Sequence, residues 1–232
     1  MSGGSAIIQG VGPGLGAALV RRFRAEGLRV AAVARDRAKL EALFGDDAGV
    51  TCYGADATNG EAVGEIVAQT ERDLGPLAVA VANSAAWKVA PFLDLSEADL
   101  EAVWRQGVLP AFHLAQHAAR AMAPRGAGTL LFTGSAAQMR APAGFAALGV
   151  AKSGLRALAQ ALAREMGPRG LHVAHVVIDG PIDSPRTRAA YTNHDKLIDP
   201  AGIAEVYALL HRQPRAAWTN EIDVRTFSEY PA

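Results

Sequence analysis

Residues 5–17 constrain the fold of this chain more than any other segment. They read SAIIQGVGPGLGA, an apolar run of strand length that leads into a glycine-rich turn. From Leu15 onward apolar residues recur at helical spacing, Gly27 stands where a left-handed helix end is expected, and a second apolar run begins at Leu28. This order predicts a strand, a tight turn, a helix and another strand within about thirty residues.

Such a turn is suited to binding a dinucleotide. Glycines let the backbone approach a pyrophosphate group, whose charge then meets free N–H groups and the positive end of the helix dipole. Two glycine patterns overlap here, because Gly12, Gly14 and Ala17 fit G-x-G-x-x-A while Gly10, Gly14 and Gly16 fit G-x-x-x-G-x-G. A purely structural turn is the alternative, but the flanking strand and helix favour a dinucleotide site.

Composition excludes several classes of function. The 232 residues can bury one sizeable core and contain no linker-like stretch, so we expect a single domain over residues 1–232. Lys plus Arg and Asp plus Glu balance at 23 each, which provides no basic field for nucleic acid or anionic lipid. No apolar run is long enough to span a membrane, so we expect a cytoplasmic protein with a small-molecule substrate. His113 and His117 lie one turn apart, but no third ligand is apparent and no metal site is expected.

The remainder of the chain alternates between strand and helix patterns. Further strands are expected at 50–53, 77–82, 129–133, 171–178 and 221–225, and further helices at 37–44, 60–74, 96–122, 145–166 and 201–211. This alternation predicts an α/β protein with a doubly wound, mostly parallel seven-stranded sheet and helices on both faces. Residues 181–200 show no clear period, and we interpret them as a loop that covers the substrate, here called the lid.

The loop after the second strand bears on the choice of cofactor. An acidic residue at this strand end would bind both ribose hydroxyls and repel a 2′-phosphate, whereas Ala34 followed by Arg35 offers a cation and no acid. The sequence therefore favours NADP, with NAD as the alternative because Asp36 is next in the chain.

Later strand ends supply further candidate contacts to the cofactor. Asp56 and Ala57 follow the third strand, where an acidic loop can touch an adenine. Asn83 and Ser84 follow the fourth strand, and their small side chains let a ribose approach closely. A tight turn without ligand would use the same residue types.

Several motifs, in the same order along the chain, resemble those of the short-chain dehydrogenase/reductase family. They are Gly10-x-x-x-Gly14-x-Gly16, Asp56, Asn83-Ser84-Ala85 in place of N-N-A-G, Ser135, Lys152, and DGPIDS at 179–184 in place of P-G-x-I-x-T. The resemblance implies a Rossmann fold and hydride transfer on NAD(P)(H) to or from a carbonyl or alcohol, in a homodimer or homotetramer. It also implies cofactor contacts from Leu15, Lys152, Gly180, Ile182 and Ser184.

The family's catalytic set is Asn, Ser and Tyr-x-x-x-Lys, and the chain departs from it. Carried over by position, the serine is Ser135 and the lysine is Lys152, which would bind the nicotinamide ribose. The position of the tyrosine is Leu148, which cannot transfer a proton, and the position of the asparagine is Gly107. The resemblance therefore implies a divergent member that lacks the catalytic tyrosine and, in this alignment, the asparagine.

Three interpretations of this departure remain open. Another donor can serve, either Lys152, a water molecule held by Ser135, or one of the lid residues Asp183, Tyr191 and His194. Alternatively, the substrate needs no phenol, as for an activated alkene that takes its proton from water. In the third interpretation the protein binds a dinucleotide without turnover, as a sensor or a partner subunit.

Overall fold

Strands and helices alternate through residues 3–228, the part of the chain that the computed structural model describes. The strands are β1 (Ser5–Gln9), β2 (Arg29–Ala34), β3 (Val50–Gly54), β4 (Leu77–Ala82), β5 (Gly128–Thr133), β6 (Leu171–Asp179) and β7 (Glu221–Arg225). The helices are α1 (Leu15–Ala25), α2 (Arg37–Phe44), α3 (Gly60–Gln69), α4 (Glu97–Met122), α5 (Ala146–Met166), α6 (Pro185–Ala190) and α7 (Pro200–Arg212). None of the helices between residues 3 and 228 combines the length and apolar character needed to cross a bilayer.

The seven strands form one sheet in the order β3-β2-β1-β4-β5-β6-β7, and every neighbouring pair is parallel. The chain moves outward from β1 to β3 and then crosses back to place β4 on the other side of β1. This reversal opens a crevice at the carboxyl ends of β1 and β4, where open α/β sheets bind their ligands. The predicted doubly wound sheet is confirmed, and it is parallel throughout.

Both faces of the sheet are covered by helices. Successive residues of a strand point to opposite faces, so Ile7 and Ile8 of β1 lie in two different apolar clusters. The cluster around Ile8 includes Phe23 of α1 and Tyr207 of α7, and the cluster around Ile7 includes Leu155 of α5. The sheet is therefore buried between two apolar layers.

The lid is more regular than the sequence predicted. Residues 185–190 form α6, which begins with Pro185 and a capping box in which Ser184 and Thr187 bond each other's backbone N–H groups. Ile182 forms an isolated bridge with Ile198, so both ends of the lid are fastened together. The prediction of a loop is therefore wrong for residues 185–190, because a six-residue helix is too short to show a hydrophobic period.

Candidate dinucleotide-binding and active site

The glycine turn joins β1 to α1, and two of its glycines are required by packing. Gly10 has a φ of 85°, and a Cβ there would lie 2.7 Å from the backbone of Asn83. A Cβ at Gly16 would lie 2.6 Å from the Cα of Val11. These distances leave no room for any other residue at either position.

Gly14 lies where the turn meets α1 and faces the lid. It is the N-cap of α1, and no side chain in the described structure caps this helix end. A Cβ at Gly14 would lie 3.3 Å from Cβ of Ser184 and 3.4 Å from the carbonyl oxygen of Asp183. An uncapped helix N-terminus between a glycine backbone and the lid provides the donors and the close approach that a pyrophosphate group requires, so the residues present fit a dinucleotide.

A buried polar network holds the turn in place. The side-chain amide of Asn83 donates to the carbonyl oxygen of Gly10 over 3.0 Å, and its oxygen accepts from the Thr133 hydroxyl, also at 3.0 Å. The same hydroxyl lies 2.8 Å from the hydroxyl of Tyr207. Burial raises the pKa of Tyr207, so this phenol stays neutral. The network ties β1, β4, β5 and α7 together at the crevice.

Charges at the end of β2 are paired with one exception. Arg37 pairs with Glu41 over 2.7 Å, and the Lys39 ammonium lies 3.2 Å from the Asp36 carboxylate. Asp36 also caps α2 by accepting from the backbone N–H of Lys39. Arg35 is exposed and forms no ion pair within residues 3–228. Its guanidinium group therefore remains available to an anionic ligand.

The loop after β3 is held by local hydrogen bonds. Both the backbone N–H and the hydroxyl of Thr58 donate to Oδ1 of Asp56 at 2.9 Å. The backbone bond from Thr58 is the main reason that the pKa of Asp56 is lowered, and the charge of Arg35 lowers it further. Nδ1 of His113 lies 3.3 Å from the carbonyl oxygen of Ala57. The Asp56 carboxylate is thus ionised, and its Oδ2 accepts neither of the two bonds from Thr58.

Lys152 lies on the inner face of α5 with only 5% of its surface exposed. Its ammonium donates to the carbonyl oxygen of Thr133 over 2.7 Å. Burial lowers the pKa of Lys152 to about 8, because the charged form loses its hydration. Leu148 lies one turn before Lys152 on α5. Its side chain carries no ionisable group, so it cannot exchange a proton with the lysine or a substrate.

Ser135 follows β5 and acts as a local cap. Its hydroxyl oxygen accepts from the backbone N–H of Ala137 at 3.3 Å, and the side chain is half-buried. Gly107 of α4 is buried against α5, where a Cβ would lie 3.2 Å from Cβ of Ala151. The two helices therefore approach closely at the position aligned with the family asparagine.

The other predicted residues follow β1, β4 and β6. Ser84 is half-buried beside Asn83. Gly180 has a φ of 145°, and Ile182 pairs with Ile198. Ser184 caps α6. Leu15, the first residue of α1, is buried. With the glycine turn and Lys152, these residues lie at the carboxyl edge of the sheet.

The lid residues differ in their capacity to donate a proton. Asp183 accepts from Nε and Nη2 of Arg188, each at 2.6 Å, and these bonds lower the pKa of its carboxyl. An ionised carboxylate has no proton to give. Tyr191 is exposed, and Nε2 of His194 lies 3.3 Å from the carbonyl oxygen of Arg188.

Known proteins share this arrangement. Residues 5–196 match the protein-family model described as short chain dehydrogenase. The chain belongs to the short-chain dehydrogenase/reductase family. It is therefore a member of a family of oxidoreductases, and its parallel sheet and glycine turn are the Rossmann fold of that family.

The names of related proteins refer to different functions, either the binding of a ligand or the reduction of a substrate. The chain is 34% identical over 200 residues to the cyclic-di-GMP-binding biofilm dispersal mediator protein of Escherichia coli. The matched region covers 84% of this chain and 80% of that protein. It is 32% identical over 185 residues to the 3-oxoacyl-[acyl-carrier-protein] reductase MabA of Mycobacterium avium, covering 80% and 69%. A metagenomic short-chain oxidoreductase solved in complex with NADP matches 97% of this chain and 98% of its own with 25% identity and a TM-score of 0.83.

The sequence did not reveal three residues of the site. Thr133 and Tyr207 complete the network behind Asn83, and His175 of β6 packs against Gly134. All three residues lie among apolar neighbours in the sequence, which indicates burial. Nothing in their local sequence distinguishes them from ordinary core residues. Within residues 3–228 no group of three or more His, Cys, Asp or Glu side chains is placed to hold a metal ion.

Proposed function

We propose that the chain is an NADP(H)-dependent oxidoreductase acting on a small carbonyl, alcohol or activated alkene. The observation that carries this proposal is the position of Thr133 between two parts of the site. Its carbonyl oxygen accepts from Lys152, and its hydroxyl donates to Asn83, which holds the turn at Gly10. The lysine and the glycine turn are thereby fixed relative to each other. A protein that binds one dinucleotide at both its pyrophosphate and its nicotinamide ribose requires such an arrangement.

The bound cofactor would supply or accept a hydride. The turn at Gly14 would bind the pyrophosphate, Lys152 the nicotinamide ribose, and Asp56 with Ala57 the adenine. Residues 181–200 would close over the substrate, within a single domain. Arg35 favours NADP because Asp36 is already engaged in capping α2. The metagenomic relative solved with NADP supports this choice, and NAD is the alternative.

Lys152 is the best placed of the candidate proton donors. Its pKa of about 8 leaves most molecules protonated at pH 7 yet lets the proton leave readily. During reduction of a carbonyl, the Lys152 N–H bond would break as an O–H bond forms on the substrate, and solvent would then return a proton to the amine. Ser135 would hold the substrate oxygen. Leu148, at the position of the family tyrosine, cannot contribute.

We propose a cytoplasmic protein that forms a homodimer or homotetramer, and a groove between α4 and α5 supports the assembly. It is lined mainly by apolar or small residues, including Phe112, Ala115, Ala119, Leu158 and Leu162. Trp104, Phe112 and Val150 on the same helices are exposed. In the family the corresponding helices pair between subunits, which would cover this surface.

A second candidate is a dinucleotide-binding sensor or a non-catalytic partner subunit. Leu148 favours it, because loss of a positioned acid typically costs about a hundred- to ten-thousand-fold in rate. The relative named for binding cyclic-di-GMP is consistent with a binding role.

Calorimetric titration with NADPH and NADH tests the proposal, followed by an absorbance screen of aldehydes, ketones and enones. Binding with turnover supports the oxidoreductase. Tight binding without turnover on any carbonyl or enone favours the sensor, and absence of binding would overturn both candidates.

A further inference from the structure

The buried His175 and the partly exposed Glu221 form a pair across neighbouring strands. They are Cα partners in the pairing of β6 with β7, and Nδ1 of His175 lies 3.2 Å from Oε2 of Glu221. Arg156 of α5 holds the same carboxylate through Nε at 2.7 Å from Oε2 and Nη2 at 2.5 Å from Oε1. The carboxylate is thus fixed from two sides.

This contact determines which nitrogen of His175 carries the proton. With Nδ1–H directed at the carboxylate, the neutral ring presents a lone pair at Nε2. Burial lowers the pKa of His175 to about 4 despite the opposing effect of Glu221, so the ring is uncharged at neutral pH. His175 is 1% exposed, and within residues 3–228 its buried Nε2 has no hydrogen-bond partner. A buried acceptor without a donor is costly and rare.

The unpaired nitrogen lies against Gly134, at the end of β5. A methyl group on Gly134 would overlap Cε1 and Nε2 of His175, so the ring packs on the backbone directly before Ser135. Lys152 donates to the carbonyl oxygen of Thr133, the residue next to Gly134, so its ammonium and the His175 ring contact consecutive residues at the end of β5. The Lys152 ammonium has three N–H donors, and Thr133 accepts one of them.

We propose that His175 is a positioning residue that keeps Lys152 protonated, by accepting a hydrogen bond from its ammonium through one buried water molecule. The inference rests on the proposed role of Lys152 as the ribose ligand and proton donor. The charged groups facing His175 are Glu221 from β7 and Lys152 and Arg156 from α5. An acceptor that faces an ammonium favours its charged form and opposes the effect of burial.

The test is the affinity for NADPH between pH 6 and pH 9.5 in the wild type and in His175→Leu. Loss of the acceptor lowers the pKa of Lys152, and a fall of about one unit gives unchanged affinity at pH 6 and about fivefold weaker binding at pH 8. His175→Gln retains an acceptor and should restore the wild-type profile. His172→Gln changes a buried histidine on the other face of β6 and should leave the profile unchanged.

Nitrogen-15 NMR of the histidine rings in the wild type provides a readout that needs no variant to fold. We expect His175 as the Nδ1–H tautomer at pH 7, with its Nε2 resonance shifting when NADP is added. An Nε2–H tautomer, or the same pH profile in wild type and His175→Leu, would overturn this inference and leave the proposed function standing. Failure of the wild type to bind NADPH at any pH would overturn the proposed function, and this role of His175 with it.

Discussion

The guanidinium group of Arg186 lies over the indole ring of Trp87, with Cζ 4.2 Å from the ring centroid. Trp87 belongs to the segment after β4 and Arg186 to α6, so the pair joins the lid to the opposite side of the crevice. Such a contact contributes about 0.5–1 kcal/mol at an exposed site, and Trp87 is 45% exposed. Residues 181–200 are therefore fastened only weakly at this point.

Arg186→Met should free the Trp87 ring without affecting the sheet. We expect stronger quenching of tryptophan fluorescence by acrylamide and a free energy of unfolding lowered by no more than about 1 kcal/mol. The same substitution in a Trp87→Phe background should leave the quenching unchanged, because no tryptophan then contacts residue 186. Equal quenching in Arg186→Met and wild type would show that the pair does not form in solution.

Gly14→Val should abolish NADPH binding, because its side chain would occupy the space between the turn and Ser184. Gly202→Ala on the exposed side of α7 is the control, since a Cβ there would meet only the side chain of Asp199, at 3.6 Å. We expect the control to keep its NADPH affinity within about threefold. Calorimetric titration measures both, and undiminished binding by Gly14→Val would exclude the proposed pyrophosphate site.

Arg35→Asp should weaken NADPH binding by about thirtyfold or more and NADH binding far less, because a bond between charged groups is replaced by repulsion. Arg37→Asp alters a cation in the same loop that already pairs with Glu41, and it should affect both cofactors alike. An equal loss for NADPH and NADH in Arg35→Asp would rule out Arg35 as the 2′-phosphate ligand.

The stability of the cofactor-free protein should rise between about pH 8 and pH 10.5. In this range the unfolded chain holds a proton on Lys152 that the folded chain has released, so folding is favoured as pH increases. The difference between pKa 10.5 and about 8 corresponds to about 3 kcal/mol. Urea unfolding of wild type and Lys152→Met isolates this contribution, which should be missing from the variant. A wild type and variant with parallel pH profiles would contradict it.

Tyr207→Phe should lower the free energy of unfolding by about 1–2 kcal/mol, because it leaves the buried Thr133 hydroxyl with one partner fewer. We also expect weaker NADPH binding, since Thr133 holds Asn83 and thereby the turn. Tyr191→Phe changes an exposed tyrosine and should do neither. Chemical denaturation and cofactor titration of the two variants test this coupling.

Local patterns explain which parts of the fold could be predicted. The hydrophobic period and Gly27 identified β1, α1 and β2, and continuous apolar runs identified β4 and β6. The helix α6 was missed because Ser184 and Thr187 define it through capping alone. The turn chemistry at Gly10 and Gly14 was readable because it lies within a few residues of chain.

Contacts between distant residues explain what could not be predicted. Thr133 meets Asn83 across 50 positions and Tyr207 across 74, and His175 meets Glu221 across 46. Thr133, Tyr207 and His175 have the local setting of ordinary strand or helix residues, so only the assembled sheet shows their partners.

The bridge between Ile182 and Ile198 has a consequence for divergence within the family. Asp183 donates its N–H to the carbonyl oxygen of Ile198, and Ile198 donates to that of Pro181, so the segment between them leaves and rejoins the protein at one place. A segment anchored in this way can be exchanged or lengthened at little entropic cost and without altering the strands. Given the proposed contact of residues 181–200 with the substrate, exchanging this segment would alter substrate preference and leave the dinucleotide-binding framework unchanged.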